Sequence, residues 1–206
     1  MINRTFFFDH ARSQLFSGKL KPSQVNGLTT ILDCWERDFR QLDDRWLAYA
    51  LGTAHHETAF TMQPIHEYGG NKYFFRMYDK DGDRPSVAKR LGNTQSGDGV
   101  SFHGRGYVQL TGRRNYHAMS TVVGDDLVAD PDKALRADYA AKIMFVGMRD
   151  GIFTSRRFAD YFSKAADGSV LKDNWLGARA IINGIDQKDA IAQYARRYYA
   201  SIGYTN

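Results

Sequence analysis

Cysteine is nearly absent from this sequence, which contains a single one, Cys34. One cysteine cannot build an internal disulfide framework, and it excludes a zinc site made of cysteine thiolates. Because Cys34 lies between the apolar residues Leu32 and Trp35, we expect a buried core thiol. Proline is also scarce, with 4 in 206 residues, and 43% of the residues are apolar. This composition excludes a disordered or collagen-like chain.

Long apolar runs are missing as well. No stretch approaches the roughly 18 apolar residues of a membrane span. The apolar cluster at 6–8 is too short for a signal peptide, because Asp9, His10 and Arg12 follow it closely. We therefore expect a chain made in the cytoplasm without stable membrane association. Any action outside the membrane would then depend on another protein for release.

Basic residues exceed acidic ones, giving a net charge of +5, but no run of five or more Lys or Arg occurs. A basic balance favours a polyanionic partner such as nucleic acid, an anionic membrane or an anionic glycan, without choosing among them. Because the charges are dispersed, a nucleic-acid-binding arm is disfavoured.

Several segments have the apolar spacing of three and four residues that predicts helices. The first begins at Pro22, a residue suited to the first helical position, and runs through Phe39. The second covers about Leu42 to Thr58. Further helices are predicted at about 131–150, 156–166, 173–183 and 187–201. Together with a length typical of one domain, this predicts a mainly α fold in a single domain over 1–206.

Glycine interrupts this pattern between Glu67 and Gly112. The glycines of this segment are Gly69, Gly70, Gly82, Gly92, Gly97, Gly99, Gly104, Gly106 and Gly112. So much glycine disfavours helix interiors. Since long irregular segments in compact domains are usually functional, we predict a loop and small β-hairpin region lining a substrate cleft.

Glu57 ends the apolar stripe of the second helix. Trp46 precedes it by eleven positions and Ala50 by seven, and each lies within about 20° of the same helical face. A carboxyl on that side is either paired, for example with an arginine, or partly desolvated, and desolvation raises a carboxyl pKa. A raised pKa suits a general acid for glycosidic cleavage. The pattern leaves both a structural and a catalytic role open.

Glu67 follows ten residues later. Glycoside hydrolases typically place two carboxyls on either side of the scissile bond, one as acid and one to activate water or attack carbon. A glutamate at a helix end and another in a loop would suit this arrangement. Two glutamates ten residues apart are common, so the pair by itself is weak evidence.

Two metal motifs begin in this sequence and are not completed. His56 and Glu57 start like the zinc-protease helix, but Phe60 stands where the second histidine belongs. The alternating aspartates at 79–83 start like a calcium loop, but arginines at 84 and 90 replace its glycine and bidentate glutamate. We expect an acidic, solvated turn there and no bound metal.

The segment Phe102–Tyr116 reads FHGRGYVQLTGRRNY. It follows a long pattern: aromatic, any residue, Gly-Arg-Gly, two residues, Gln, Ile/Leu, Ser/Thr, three residues, Asn-Tyr. This resembles the signature of glycoside hydrolase family 19, the plant and bacterial chitinases and related phage endolysins. The triplets at 56–58 (His-Glu-Thr) and 182–184 (Ile-Asn-Gly) follow in the family's order, so the resemblance runs from about 45 to 200. It implies a lysozyme-like α+β catalytic domain.

The resemblance also implies residue roles. Glu57 matches the general acid, and Glu67 is the best match to the second carboxylate, at a separation like that of the phage endolysin branch. Thr111 matches the Ser/Thr that helps hold the attacking water. Gln109, Asn115 and Asn183 match polar positions lining the sugar subsites, and amides can pair with N-acetyl and hydroxyl groups without adding charge.

Four further residues are weaker candidates for substrate contacts. Arg105 is either a structural ion-pair partner or a substrate contact. Tyr107, like Tyr73 and Phe74, is either a subsite ring or a core residue.

The sequence departs from the plant enzymes of this family at several positions. His55 replaces a common serine, Ala59 and Phe60 replace Gly-Gly, and Ile185 stands where a second glycine often follows Asn-Gly. The cysteines of the plant disulfides are missing. These differences argue against a secreted, plant-like chitinase.

The resemblance implies an inverting reaction, in which Glu57 protonates the leaving oxygen while Glu67, assisted by Thr111, activates a water. Inversion requires carboxyls roughly 6.5–9.5 Å apart and no metal or organic cofactor. Peptidoglycan is preferred over chitin because its peptide branches carry carboxylates and the chain is basic. The expectation is a monomeric muramidase-type endolysin, released by a holin and acting on peptidoglycan strands of the cell wall.

Three alternatives belong to other substrates or classes. The first is a chitinase acting on N-acetylglucosamine polymers. The second is a non-catalytic glycan-binding module, which the presence of both Glu57 and Glu67 disfavours. The third is a nucleic-acid-binding protein, for which the sequence contains no recognised motif.

Overall fold

The computed structural model describes residues 1–205, and helices dominate it. The helices are α1 (Arg4–Leu15), α2 (Pro22–Asp38), α3 (Asp44–Glu57), α4 (Asn71–Tyr78), α5 (Pro85–Leu91), α6 (Asp98–Ser101), α7 (Arg113–Val123), α8 (Ala137–Asp150), α9 (Phe158–Tyr161) and α10 (Lys188–Ser201). The strands are β1 (Ile65–His66), β2 (Arg105–Gly106), β3 (Phe162–Lys164) and β4 (Val170–Asp173). Two 3₁₀ helices cover Pro131–Leu135 and Gly177–Ile181. The mainly α class with small β elements is confirmed.

The chain divides into two compact units. Unit one comprises Met1–Gln63 and the described chain from Met144 onward, and unit two is Pro64–Ile143. We predicted a single catalytic domain over 1–206. The division into units does not test this, and it stays a prediction. Within residues 1–205, no helix is long and apolar enough to cross a membrane.

Unit one is organised around α3 and α10, which pack along each other, with α1 against α10. Its interior is aromatic, and Trp35, Tyr49 and Tyr198 are fully buried there. Cys34 is also buried, as its apolar neighbours predicted. The predicted helices at Pro22 and at 187–201 are confirmed as α2 and α10, and the helix predicted from Leu42 to Thr58 is α3.

Gly52 allows α3 and α10 to approach closely. A Cβ at Gly52 would lie 2.7 Å from the backbone nitrogen of Ala195, closer than real Cβ atoms come to backbone. The glycine is therefore a packing requirement, and it offsets the conformational cost of glycine inside a helix.

Two antiparallel ladders complete the secondary structure. In unit two, β1 pairs with β2 so that Ile65 faces Gly106 and His66 faces Arg105. In unit one, β3 pairs with β4 between Phe162 and Asp173, with an irregularity at Ser163/Lys164. The β1–β2 ladder joins segments about forty residues apart, so it is not a local hairpin.

The prediction of a long irregular segment from Glu67 to Gly112 is wrong, because α4, α5 and α6 lie within it. Four of the nine glycines there cap helices, and Gly99 lies inside α6. Gly70 and Gly97 precede α4 and α6, Gly92 follows α5 in the left-handed region, and Gly112 precedes α7. Glycine at these ends separates short helices.

The acidic turn predicted to be solvated is also different in the structure, because Asp79 is fully buried. Its Oδ2 accepts hydrogen bonds from the backbone amides of Gly97 and Gly99, at 2.9 and 3.0 Å. Asp79 therefore fixes the end of α4 against the start of α6.

Other helix predictions are correct only in part. The segment 131–150 divides into a 3₁₀ helix and α8, and 156–166 contains the short α9 followed by β3. The segment 173–183 contains part of β4 and a 3₁₀ helix. Helices α1 and α7 were not predicted. Exposed polar residues dominate α1, in which only Phe7 and Ala11 are buried.

Candidate active site

Glu57 is the last residue of α3 in unit one. Thr58 closes the helix, since its backbone amide donates to Ala54 and its hydroxyl donates to the same carbonyl at 2.7 Å. The chain then turns through Ala59 and Phe60, both with positive φ. This abrupt end leaves the Glu57 carboxyl at the helix terminus with 19% of its side chain exposed.

The partner of Glu57 is Arg179, 122 residues later in the chain. Arg179 Nη1 donates to Glu57 Oε1 at 2.6 Å, and its side chain is only 4% exposed. Arg179 Nε also donates to the carbonyl oxygen of Asp186 at 2.9 Å. The sequence left two states open for Glu57, paired or partly desolvated. The structure adopts the paired one.

Asn183 belongs to the same group in unit one. Its backbone amide donates to the carbonyl oxygen of Arg179 at 3.0 Å, and its side chain is exposed. Its Oδ1 accepts from the amide of Gly184 at 2.8 Å. Arg179 thus connects Glu57 to the loop that carries the candidate subsite amide.

His55, two residues before Glu57, is a buried histidine of structural character. Burial lowers the pKa of His55 to about 4, and neighbouring His56 adds to the decrease. Its Nδ1 lies 2.9 Å from the Tyr198 hydroxyl, and aromatic rings surround it.

Glu67 lies in unit two directly after β1. Its backbone amide donates to the carbonyl of Gly104 at 2.8 Å, and the Gly104 amide donates back to Glu67 Oε2 at 3.1 Å. The Tyr78 hydroxyl donates to Oε1 at 2.7 Å. Burial raises the pKa of Tyr78, and this hydrogen bond to Glu67 raises it further, so the hydroxyl stays a donor at neutral pH.

Gly104 permits this arrangement because it has no side chain. A Cβ there would lie 2.6 Å from Gln109 Oε1 and 3.0 Å from Glu67 Oε2. Gln109 Oε1 is buried and has no hydrogen-bond partner among the described residues. The side chains of Glu67 and Gln109 therefore both lie next to Gly104.

Gln109 and Thr111 are held by a tight loop. Reciprocal backbone hydrogen bonds join Arg105 and Leu110, and Gln109 adopts a positive φ of 60°. The Thr111 hydroxyl donates to the Gln109 carbonyl at 2.9 Å, which leaves its oxygen lone pairs as acceptors. Asn115 is nearly buried, and its Nδ2 donates to the Thr111 carbonyl at 2.9 Å.

Arg105 and Tyr107 face the interior of unit two. Arg105 is 6% exposed, and it pairs with Asp132 at 2.7 Å and with the Tyr116 hydroxyl at 2.9 Å. These contacts match the first of the two roles considered for Arg105, that of a structural ion-pair partner. A contact of Arg105 with substrate stays a prediction. Tyr107 has 0% exposure, so a role as subsite ring would require its neighbours to move.

The structure thus brings the predicted residues together in two groups. Glu57 and Asn183 lie in unit one, and Glu67, Gln109, Thr111 and Asn115 lie in unit two. The sequence reasoning missed Arg179 and Tyr78. A signal for Arg179 was present, because it is the one cation inside the apolar run 175–182. In residues 1–205, no three His, Cys, Asp or Glu side chains group in a way that would hold a metal ion.

Comparison with known proteins identifies one family. The profile of glycoside hydrolase family 19, described as chitinase class I, matches residues 38–146. A comparison with curated proteins returns no match.

Solved structures of chitinases are similar to this chain at low identity. Chitinase C from Streptomyces griseus HUT6037 is 20% identical, with 71% of this chain and 65% of that chain covered and a TM-score of 0.44. A mutant of chitinase C is 20% identical, with 72% of this chain and 54% of that chain covered, at the same TM-score. A bacterial family 19 chitinase is 17% identical, with 97% and 94% covered and a TM-score of 0.49. The matched region spans less than two thirds of both chitinase C chains.

Proposed function

The chain belongs to glycoside hydrolase family 19, and from this premise we propose that it is an endolysin that hydrolyses β-1,4 glycosidic bonds of bacterial peptidoglycan. The observation that carries the hydrolase proposal is that the family match, 38–146, contains both Glu57 and Glu67. Each of these carboxyls is oriented by its own donors, Arg179 in one unit and Tyr78 with Gly104 in the other.

In the proposed reaction, Glu57 is the general acid. A protonated Glu57 donates its proton to the glycosidic oxygen, and the bond from this oxygen to the anomeric carbon breaks. Arg179 donates to Oε1 of Glu57, so a proton taken up on Oε2 leaves this hydrogen bond in place. The Asp186 carbonyl holds Arg179 itself, and Arg179 in turn keeps the carboxyl oriented.

Glu67 is the proposed general base. Each of its carboxylate oxygens accepts one hydrogen bond within unit two, and each keeps a further lone pair for a water. The water gives its proton to Glu67 and attacks the anomeric carbon from the face opposite the leaving group. Thr111 assists by accepting a second hydrogen bond from that water, because its own proton is donated to Gln109. The product has the inverted configuration.

Peptidoglycan is the proposed substrate because its peptide branches carry carboxylates and the protein has a net charge of +5. Chitin is the second candidate, and the chitinase class I description of the matching family favours it. Both polymers contain β-1,4-linked N-acetylhexosamines, so the same carboxyl chemistry would serve either.

The test compares wild type with the Glu57→Gln and Glu67→Gln variants. The chain has three glutamates, so Glu36→Gln is a matched control; Glu36 accepts from the Ile2 amide and from Arg4 in unit one. Outer-membrane-permeabilised Gram-negative cells, purified sacculi and chitin oligomers are the substrates. Turbidity, new reducing ends and circular dichroism of each variant are measured.

We expect wild type and Glu36→Gln to clear the cells and release fragments ending in reducing N-acetylmuramic acid, with the α-anomer formed first. The other two variants should lose at least about a hundredfold in rate. Equal clearing by all four proteins would reject both carboxyls. Faster release of reducing ends from chitin oligomers than from sacculi would replace peptidoglycan by chitin.

A further inference from the structure

His66 and His103 form a hydrogen-bonded pair in unit two beside Glu67. His66 Nδ1 lies 3.1 Å from His103 Nε2, and the ring centroids are 5.4 Å apart. His66 is the residue before Glu67 and is exposed, whereas His103 is half-buried and precedes Gly104, the amide donor to Glu67.

His103 is fixed in orientation by two contacts. Its Nδ1 lies 2.7 Å from the Val100 carbonyl oxygen of α6, which can only accept, so Nδ1 carries the proton. Its ring stacks on Phe74 of α4 at 4.3 Å with an interplanar angle of 3°. The remaining nitrogen, Nε2, is thereby aimed at His66.

This geometry limits the pair to one shared proton. When the pair is neutral, His103 Nε2 accepts from His66 Nδ1–H, so the outer nitrogen of His66, Nε2, has no proton and is an acceptor. When the pair takes up one proton, either placement of the charge leaves an N–H on His66 Nε2. A second proton would put N–H groups on both inner nitrogens and break the hydrogen bond.

We propose that the singly protonated His66–His103 pair binds a carboxylate of the peptidoglycan peptide branches through His66 Nε2–H. This inference rests on the proposed function and adds to it a determinant of peptidoglycan over chitin, because chitin has no carboxylate. A charge-assisted hydrogen bond from a fixed imidazolium is stronger and more directional than one from a mobile side chain.

The electrostatic surroundings disfavour a positive charge on His103. Burial lowers the pKa of His103, and Arg105 and His66 add to the decrease, while the Val100 carbonyl and Glu67 oppose it. Arg105 of β2 is itself paired with Asp132. Either placement of the shared proton leaves the N–H of His66 Nε2 on the exposed ring, where a ligand can reach it.

The experiment measures binding without turnover, in the Glu57→Gln background. Native sacculi are compared with sacculi whose carboxyls have been converted to methylamides, at about pH 5.5 and about pH 8, on either side of the ordinary histidine range. The variants are His66→Phe and His103→Phe, and His117→Phe is the matched control, since His117 is an exposed histidine on α7. Nitrogen-detected NMR of the imidazoles checks the protonation of each ring.

We expect the background protein and the His117→Phe control to prefer native over amidated sacculi about five-fold more at the lower pH than at the higher one. His66→Phe should lose this pH-dependent part, and His103→Phe should reduce it because the His66 ring loses the partner that orients it. Both variants should keep the pH-independent attraction of a basic protein. NMR should find the proton of His103 on Nδ1.

An unchanged pH-dependent preference in His66→Phe, with all variants folded, would overturn the inference. So would an NMR spectrum with the His103 proton on Nε2 in the neutral state. Failure of the proposed function is a separate result: wild type would then release no reducing ends from sacculi, whatever the binding ratios are.

Discussion

In unit one the Glu57 carboxylate faces a buried cation, whereas in unit two the donors to the Glu67 carboxylate are neutral. Glu57 pairs with Arg179, whose side chain is 4% exposed. Glu67 accepts from the Tyr78 hydroxyl and from the Gly104 amide. The helices of the two units also differ. In unit one α3 packs along α10, whereas in unit two the helices are short and separated by glycines.

The two carboxyls therefore depend on their units for different kinds of support, an ion pair in unit one and neutral hydrogen bonds in unit two. Breaking a buried ion pair strongly destabilises the fold, because the charge that remains has lost its partner. Each neutral hydrogen bond contributes less to the free energy of unfolding, and its loss mainly misorients the carboxyl that it holds. We therefore expect substitutions around Glu57 to change stability and activity together, and those around Glu67 to change activity more than stability.

The largest effect is expected for Arg179→Met, which breaks the ion pair of unit one. Glu57 keeps partial exposure, so we expect a loss of about 2–3 kcal/mol in the free energy of unfolding. Activity should fall at least about tenfold, because the carboxyl loses its orientation. Urea unfolding and reducing-end assays measure the two effects.

The matched variant Arg179→Lys keeps the charge but not the two-pronged contact to Glu57 and Asp186. It should recover stability more than activity. Combining Arg179→Met with Glu57→Gln tests the pair directly, because the second substitution should then cost little further stability. Full additivity of the two would contradict a coupled pair.

The next effect is acid sensitivity in unit one, through His55. Its pKa is about 4 in the folded protein, and an ordinary histidine in the unfolded chain has a pKa of about 6.5. Since the unfolded chain binds more protons between these values, stability is full above about pH 6.5 and falls as the pH drops toward 4. Between pH 7 and pH 5 the free energy of unfolding should fall by about 2 kcal/mol.

Urea unfolding at a series of pH values measures this dependence. His55→Phe keeps an aromatic ring among Phe16, Phe60 and Tyr194 but cannot titrate. The variant should therefore show a shallower decline below pH 6.5. An identical decline would assign the acid sensitivity to other groups. Native-state hydrogen exchange shows whether the loss begins in unit one.

The sequence predicted the long helices best, because their burial stripes are long enough to define a period. Helices α2 and α10 each bury one apolar face, and α3 is buried on nearly all sides along residues 47–55. The segment 173–183 has similar apolar content, but in the structure it contains a 3₁₀ helix and part of a strand. In unit two the helices α4 to α6 span only four to eight residues, too few to establish a helical period.

The candidate site was predictable where its residues are close in the chain. Gln109, Thr111 and Asn115 lie within seven positions, and the family signature covers all of them. Arg179 stands out in the sequence as the one cation of an apolar run, but its pairing with Glu57 was not predictable, because no local pattern joins the two residues across 122 positions. Tyr78 was missed for a related reason, since its hydroxyl meets Glu67 through the packing of α4 rather than through the signature.

A smaller effect on stability is expected for Gly104→Ala in unit two. The new Cβ would contact the movable ends of Gln109 and Glu67, so these side chains have to shift. We expect about 1 kcal/mol of destabilisation and about a tenfold loss of activity. The same substitution at Gly52 is the matched comparison, because its Cβ would meet backbone of α10.

Gly52→Ala should cost about 2–3 kcal/mol of stability and leave the activity per folded molecule nearly unchanged. Thermal unfolding and rates normalised to folded protein separate the two outcomes. If Gly104→Ala lost stability as strongly as Gly52→Ala and kept its activity, the contrast between the two units would be wrong.

The smallest effect is expected for Tyr78→Phe, which removes one neutral donor from Glu67 and keeps the ring. The hydrogen bond is worth about 1 kcal/mol, so kcat should fall about five-fold with little change in KM, because the base is misoriented rather than the substrate lost. The matched control is Tyr139→Phe, whose hydroxyl donates to Asp125 in the same unit, far along the chain from Glu67. A fall in kcat for Tyr139→Phe equal to that for Tyr78→Phe would mean that the loss comes from general weakening of unit two, and the Tyr78 hydroxyl would then have no specific part in orienting Glu67.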